Sequence, residues 1–198
     1  GWILEQFVAA GGREDILYDA KPHVGTDVLL TVVQNLRKRI ISLGGEVRFN
    51  TQVTGLCTEN GRLTGLKIAD GTVIPCDRAL LAIGHSARDT FEMLDASGVP
   101  MEPKPFAMGV RIEHRQRNID VAQYGGENPA LPPADYKLVE HLDGETVYTF
   151  CMCPGGYVVA AASEEGRVVT NGMSYADRDG ENANAALLVT VNPADSPY

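Results

Sequence analysis

The sequence predicts a mixed α/β (α+β) fold, and three observations carry that prediction. A strong helix pattern runs from Thr26 to Leu43. A three-stranded meander with two Gly-containing turns follows it. Beyond a proline-flanked connector at Met101–Pro105 the chain reads as short antiparallel strands and turns.

Taken in order, Trp2 to Ala10 reads as a short helix with Ile3, Leu4, Phe7 and Val8 on one face and Gly11-Gly12 at its end. After a loop through Lys21–Gly25, Thr26 is an expected N-cap. Val28, Leu29, Val32, Val33, Leu36, Ile40 and Leu43 recur near a 3.6 period, which predicts one buried stripe, and Gly44-Gly45 closes the helix. Residues 46–50 and 51–58 read as strands. Asn60-Gly61 and Asp70-Gly71 are hairpin turns because these residues tolerate positive φ, so strands at 63–69 and 72–76 complete the meander.

Residues 78–83 then form an apolar run that breaks at Gly84, and Ser86 with Asp89 has capping-box spacing ahead of a helix ending at Gly98. This strand–turn–helix presents its carboxyl edge, where open α/β sheets bind ligands. Further strands are expected at 106–114, 136–141, 146–151, 157–163, 167–170 and 185–191. Residues 120–133 and 176–184 read as loops, and Asn192 to Tyr198 as an uncapped tail.

The composition excludes some functions. With 198 residues and 44% hydrophobic content the chain can bury a core of one large or two small domains. A net charge of −9 argues against nucleic acid or an anionic membrane as partner, and no apolar run is long enough for a membrane helix. Four scattered cysteines fit a reducing cytoplasm better than a disulfide scaffold. No second Cys/His pair has zinc spacing, so no metal is expected. A start at Gly1-Trp2, already inside a helix pattern, reads as a fragment of a longer protein.

Five stretches are more specific than pattern: Lys21-Pro22-His23-Val24-Gly25-Thr26-Asp27; residues 82–91 around Ala82-Ile83-Gly84-His85-Ser86; residues 104–114 around Arg111; Phe150-Cys151-Met152-Cys153-Pro154-Gly155-Gly156; and Asn171-Gly172-Met173-Ser174. In this order they resemble a family of bacterial FAD-dependent dehydrogenases, mostly of unassigned substrate. The resemblance implies a partial FAD-binding domain over 1–100, without its phosphate-binding glycine turn, and a β-rich substrate or cap domain over 101–198. It implies FAD as the cofactor of the parent protein, a small-molecule substrate, and a piece that is inactive alone.

Cofactor contacts are expected from Val53, Ala82, Gly84, His85 and Ser86. From residues alone, Val53 is equally a core strand position and Ser86 equally a helix cap. Catalytic candidates are His23, Arg111, Cys151 and Cys153. His23 lies in a Pro/Gly-framed loop, where an imidazole could move a proton or simply be solvated. Arg111 is flanked by small residues and could clamp a carboxylate, or merely pair with Glu113 at the surface. Cys151 and Cys153 alternate onto one strand face as a thiol pair that could relay electrons, or as inert buried thiols. The rival reading is a non-catalytic interaction module that does not bind FAD by itself.

Overall fold

The computed structural model of the protein describes residues 1–195. It is a mixed α+β chain, and every strand pairing among these residues is antiparallel. The chain divides into two compact units: Glu46–Pro103, and Gly1–Gly45 together with the chain from Lys104 onward. The first 45 residues thus group with the chain from Lys104 onward.

The smaller unit is the meander. Strands β1 (Val53–Glu59), β2 (Arg62–Ile68) and β3 (Val73–Pro75) pair in sequence order. The first turn works as expected: Asn60 and Gly61 take φ of 51° and 73°, the mirror-image turn that suits strand twist. Helix α3 (Arg88–Ala96) packs beside β1, and Leu94 and Ile68 are buried. Two expected strands do not form. Residues 46–50 and 78–83 are extended or bent but belong to no sheet, and Leu80 is 93% exposed. β-Propensity and apolarity favour a strand, yet a strand exists only where a neighbour accepts its hydrogen bonds.

In the larger unit, α1 (Trp2–Ala9) and α2 (Thr26–Ser42) are helical as predicted. The N-cap of α2 is Gly25, not Thr26, whose hydroxyl instead donates to the Ser174 carbonyl at 3.3 Å. The stripe of α2 is only partly covered: Val32 is fully buried, but Val33 and Leu43 are exposed.

The centre of this unit is a four-stranded sheet ordered β4-β9-β6-β5, built from β4 (Phe106–Arg115), β5 (Val139–Leu142), β6 (Glu145–Cys153) and β9 (Asn182–Val191). The late strand β9 inserts between β4 and β6, pairing residue for residue from Phe106↔Val191 to Arg115↔Asn182. Its small residues Ala183, Ala185 and Ala186 are buried. A separate pair, β7 (Gly156–Ala160) and β8 (Thr170–Ser174), completes the β structure. Between β4 and β5 lies α4 (Gln116–Tyr124), which takes the first residues of the stretch expected to be a loop. Its polar sequence hides an anchor: Gln116, the one buried residue of the helix. The expected tail becomes a 3-10 turn at Pro193–Asp195, and residues 196–198 lie outside the described residues.

Candidate functional site

Arg111 sits in the middle of β4, opposite Ala186 of β9. Alternation along β4 puts Ala107, Gly109, Arg111 and Glu113 on one sheet face and the apolar Phe106, Met108, Val110 and Ile112 on the other. The small side chain of Ala186 and the lack of one at Gly172 leave the space that the guanidinium fills. A Cβ on Gly172 would run into both Arg111 Nη1 and Asn184 Oδ1.

The partner of Arg111 is not Glu113. Its Nη1 donates to Asn184 Oδ1 at 2.7 Å and to the Cys151 carbonyl at 3.3 Å. Asn184 has no exposed surface at all. Burying an amide costs free energy unless its polar atoms are used, and here one oxygen is committed to a cation. Arg111 Nε and Asn184 Nδ2 remain buried without a partner.

The Cys151 carbonyl reaches Arg111 because β6 is interrupted. Its register with β9 shifts between Phe150 and Cys153, and Cys151 takes φ 47°, an uncommon conformation for a side chain with a Cβ. The simple alternation expected for Cys151 and Cys153 therefore fails. Cys151 is exposed and Cys153 is partly buried, and they are not joined by a disulfide. Cys153 Sγ donates to the Cys151 carbonyl at 3.3 Å. Burial pushes the Cys153 thiol above its ordinary range, and the nearby Arg111 opposes this only partly. A thiol held neutral in this way is a poor nucleophile.

The turn after Cys153 is held by two side-chain hydrogen bonds. Pro154, Gly155 and Gly156 are buried. Gln116 Oε1 accepts from the Gly155 N–H at 2.8 Å, and Ser174 Oγ donates to the Pro154 carbonyl at 2.8 Å. A Cβ on Gly156 would lie 2.6 Å from Ser174 Oγ and 2.9 Å from Cys153 Cβ, so only glycine fits.

His23 belongs to the same network at one remove. Its Nε2 donates to the Tyr175 carbonyl at 3.0 Å, which leaves Nδ1 as the atom able to accept a proton. The Asp27 carboxylate accepts from the Ala176 N–H at 2.9 Å, and this hydrogen bond holds its pKa below the usual carboxylate range. Gly25, with φ 84°, lets the loop pass directly against Ala176. The structure thus brings Arg111, Cys151 and Cys153 together and ties His23 to the strand end at Ser174–Ala176.

The five cofactor candidates all lie in the other unit. Val53 opens β1 and pairs with Ile68. Ala82 and Gly84 are exposed in the unpaired stretch, Gly84 with φ 72° and open space where a Cβ would be. The expected cap at Ser86 does not form. The N-cap of α3 is Ala87, the Ser86 hydroxyl lies 3.3 Å from His85 Nε2, and Asp89 accepts from Gln52 Nε2 at 2.8 Å. None of the buried side-chain atoms lacking a partner belongs to this unit among the described residues. The residues present do not enclose a dinucleotide, and they do not fit FAD on their own.

Asn184 and Gln116, which belong to none of the five stretches, complete the network together with Ser174. The stretch 176–184 reads as a loop, yet Asn184 within the small-residue run Ala183-Asn184-Ala185-Ala186 is the available signal for a buried polar position. Among the described residues no cluster of three or more His, Cys, Asp or Glu could hold a metal ion, and no helix is long and apolar enough to cross a membrane.

Residues 105–197, which include the whole Arg111 network except the His23 loop, match a family model described as FAD-dependent protein, C-terminal domain-like. A protein of Clostridium beijerinckii (strain ATCC 51743 / NCIMB 8052), described as an uncharacterized protein, is 51% identical over 198 residues, covering 98% of this chain and 37% of its own length. The chain therefore spans little more than a third of that relative.

Proposed function

We propose that this chain is part of an FAD-dependent oxidoreductase, a dehydrogenase in which hydride passes between a small-molecule substrate and flavin. In this reading the Glu46–Pro103 unit supplies one flank of the dinucleotide site through Gly84, His85 and Ser86. The remainder, including a phosphate-binding turn, comes from chain outside this sequence. The unit containing the four-stranded sheet is the substrate side. Arg111, held by Asn184 and the Cys151 carbonyl, binds an anionic substrate group by charge-assisted hydrogen bonds. His23 Nδ1 is the proton-transfer candidate, and Cys151 and Cys153 shape the turn rather than relay electrons.

The match of residues 105–197 to the FAD-dependent C-terminal model carries this proposal. The test is the visible spectrum of the purified full-length protein, with flavin release by acid. Flavin bands that bleach when the bound flavin is reduced are expected, and a colourless protein without extractable flavin would sink the reading. Arg111→Met should retain flavin while weakening substrate binding.

A second reading, a non-catalytic interaction module, is favoured by one observation: the exposed apolar stretch at Leu80 and Leu81. A full-length protein that binds a protein partner through this stretch and carries no flavin would establish it.

A further inference from the structure

On the sheet face opposite Arg111 lies a second cleft, of about 600 Å³, between the sheet and α4. Its walls are apolar: Ile112 of β4, Ile119 of α4, Leu138 and Leu187. Ile112, Leu138 and Leu187 are 37%, 60% and 38% exposed, so the fold leaves this apolar surface open. Polar side chains interrupt it: Gln123, Glu140, Thr149 and one hydrogen-bonded pair. Tyr136 Oη and His114 Nε2 are 2.9 Å apart, with ring centroids 5.6 Å apart.

That pair offers a ligand one defined polar contact. If Tyr136 donates to Nε2, the phenol oxygen keeps an accepting lone pair and Nδ1–H remains a donor. If Nε2–H donates to the phenol, the phenol O–H and the Nδ1 lone pair remain instead. Either way one donor and one acceptor are left. A hydroxyl group, itself both donor and acceptor, satisfies either arrangement.

Charge narrows the class further. No lysine or arginine is among the residues lining the cleft, and its formal charge is the carboxylate of Glu140. An anion there would face the Glu140 carboxylate with no lysine or arginine among the lining residues beside it. The Thr149 hydroxyl does not compete for ligand, because it accepts from the Leu138 N–H at 2.8 Å and donates to the Leu138 carbonyl at 3.3 Å.

We infer that this cleft is a binding site for a neutral, largely apolar molecule carrying a hydroxyl group, such as a phenol or a ring alcohol, oriented by the His114–Tyr136 pair. The site is independent of the Arg111 network and goes beyond the proposed reaction. Burial raises the Tyr136 phenol above its usual range, so it stays protonated at neutral pH.

The test is calorimetric and NMR titration of the purified protein with 2-naphthol, naphthalene and 2-naphthoate. Saturable one-to-one binding of 2-naphthol is expected, at least about fivefold tighter than naphthalene, since a polar pair facing an apolar ligand loses hydrogen bonds. Tyr136→Phe should erase that preference while naphthalene binding persists, and Leu138→Trp, which fills the cleft, should abolish both. Equal binding of 2-naphthol and naphthalene overturns the hydroxyl assignment. Tighter binding of 2-naphthoate overturns the neutral class. Absence of saturable 2-naphthol binding by a folded wild-type protein overturns the site.

Discussion

Asn184→Ala is the sharpest perturbation of the Arg111 network. The native amide is fully buried, and its Oδ1 accepts from Arg111 Nη1 at 2.7 Å. Truncation removes a hydrogen bond to a charged group and leaves the guanidinium short of an acceptor, a loss of about 2–3 kcal/mol. For a chain of 198 residues, that corresponds to a fall in Tm of roughly 5–10 °C. Asn184→Asp keeps an acceptor for Arg111 and should lose less than Asn184→Ala. The assay is urea and thermal unfolding, completed as a cycle with Arg111→Met. Because the two side chains are in contact, the double variant should deviate from additivity by about 1–2 kcal/mol. A loss below about 0.5 kcal/mol for Asn184→Ala, or additivity in the cycle, would refute the claim that Asn184 holds the arginine.

Three further outcomes follow from the same unit. Gly25→Ala places a Cβ at φ 84° against the Ala176 backbone, and should destabilise by about 1–3 kcal/mol in denaturant unfolding. Asp27 has a depressed pKa from the Ala176 N–H, so its contribution is present above the unfolded carboxylate value and is lost as pH falls below about 4. Asp27→Asn should accordingly flatten the acid limb of Tm against pH. Cys153, raised by burial, should alkylate with iodoacetamide at least about tenfold more slowly at pH 7.5 than the exposed Cys151, followed by peptide mass spectrometry. Comparable rates would show that the Cys153 thiol is not shielded.

Local features were legible from the residues. The turn at Asn60-Gly61 adopts positive φ at both residues, and that at Asp70-Gly71 at its glycine, because this preference belongs to the residues themselves. The α1 and α2 helices follow from their periodicity. The face of β4 bearing Arg111 follows from alternation, which is also a property of a single strand. By contrast, α4 has a polar sequence with a single buried anchor, Gln116, and its bond to Gly155 spans 39 residues. The stretches 46–50 and 78–83, which read as strands, join no sheet, because a strand needs a neighbouring strand brought to it by the rest of the fold.

By itself the sequence determined the α+β class, the meander, most strand segments and the glycines on which the turns depend. Tertiary structure decided that β9 inserts between β4 and β6, that Cys151 turns its carbonyl toward Arg111, and that Asn184 is buried beneath the guanidinium. It also decided that His114 and Tyr136 meet over an open apolar cleft. The division has one physical cause. Turn and helix preferences are energies of neighbouring residues, whereas strand order, burial of a polar side chain and the pairing of two distant rings arise only when separate segments compete for the same space and the same hydrogen bonds.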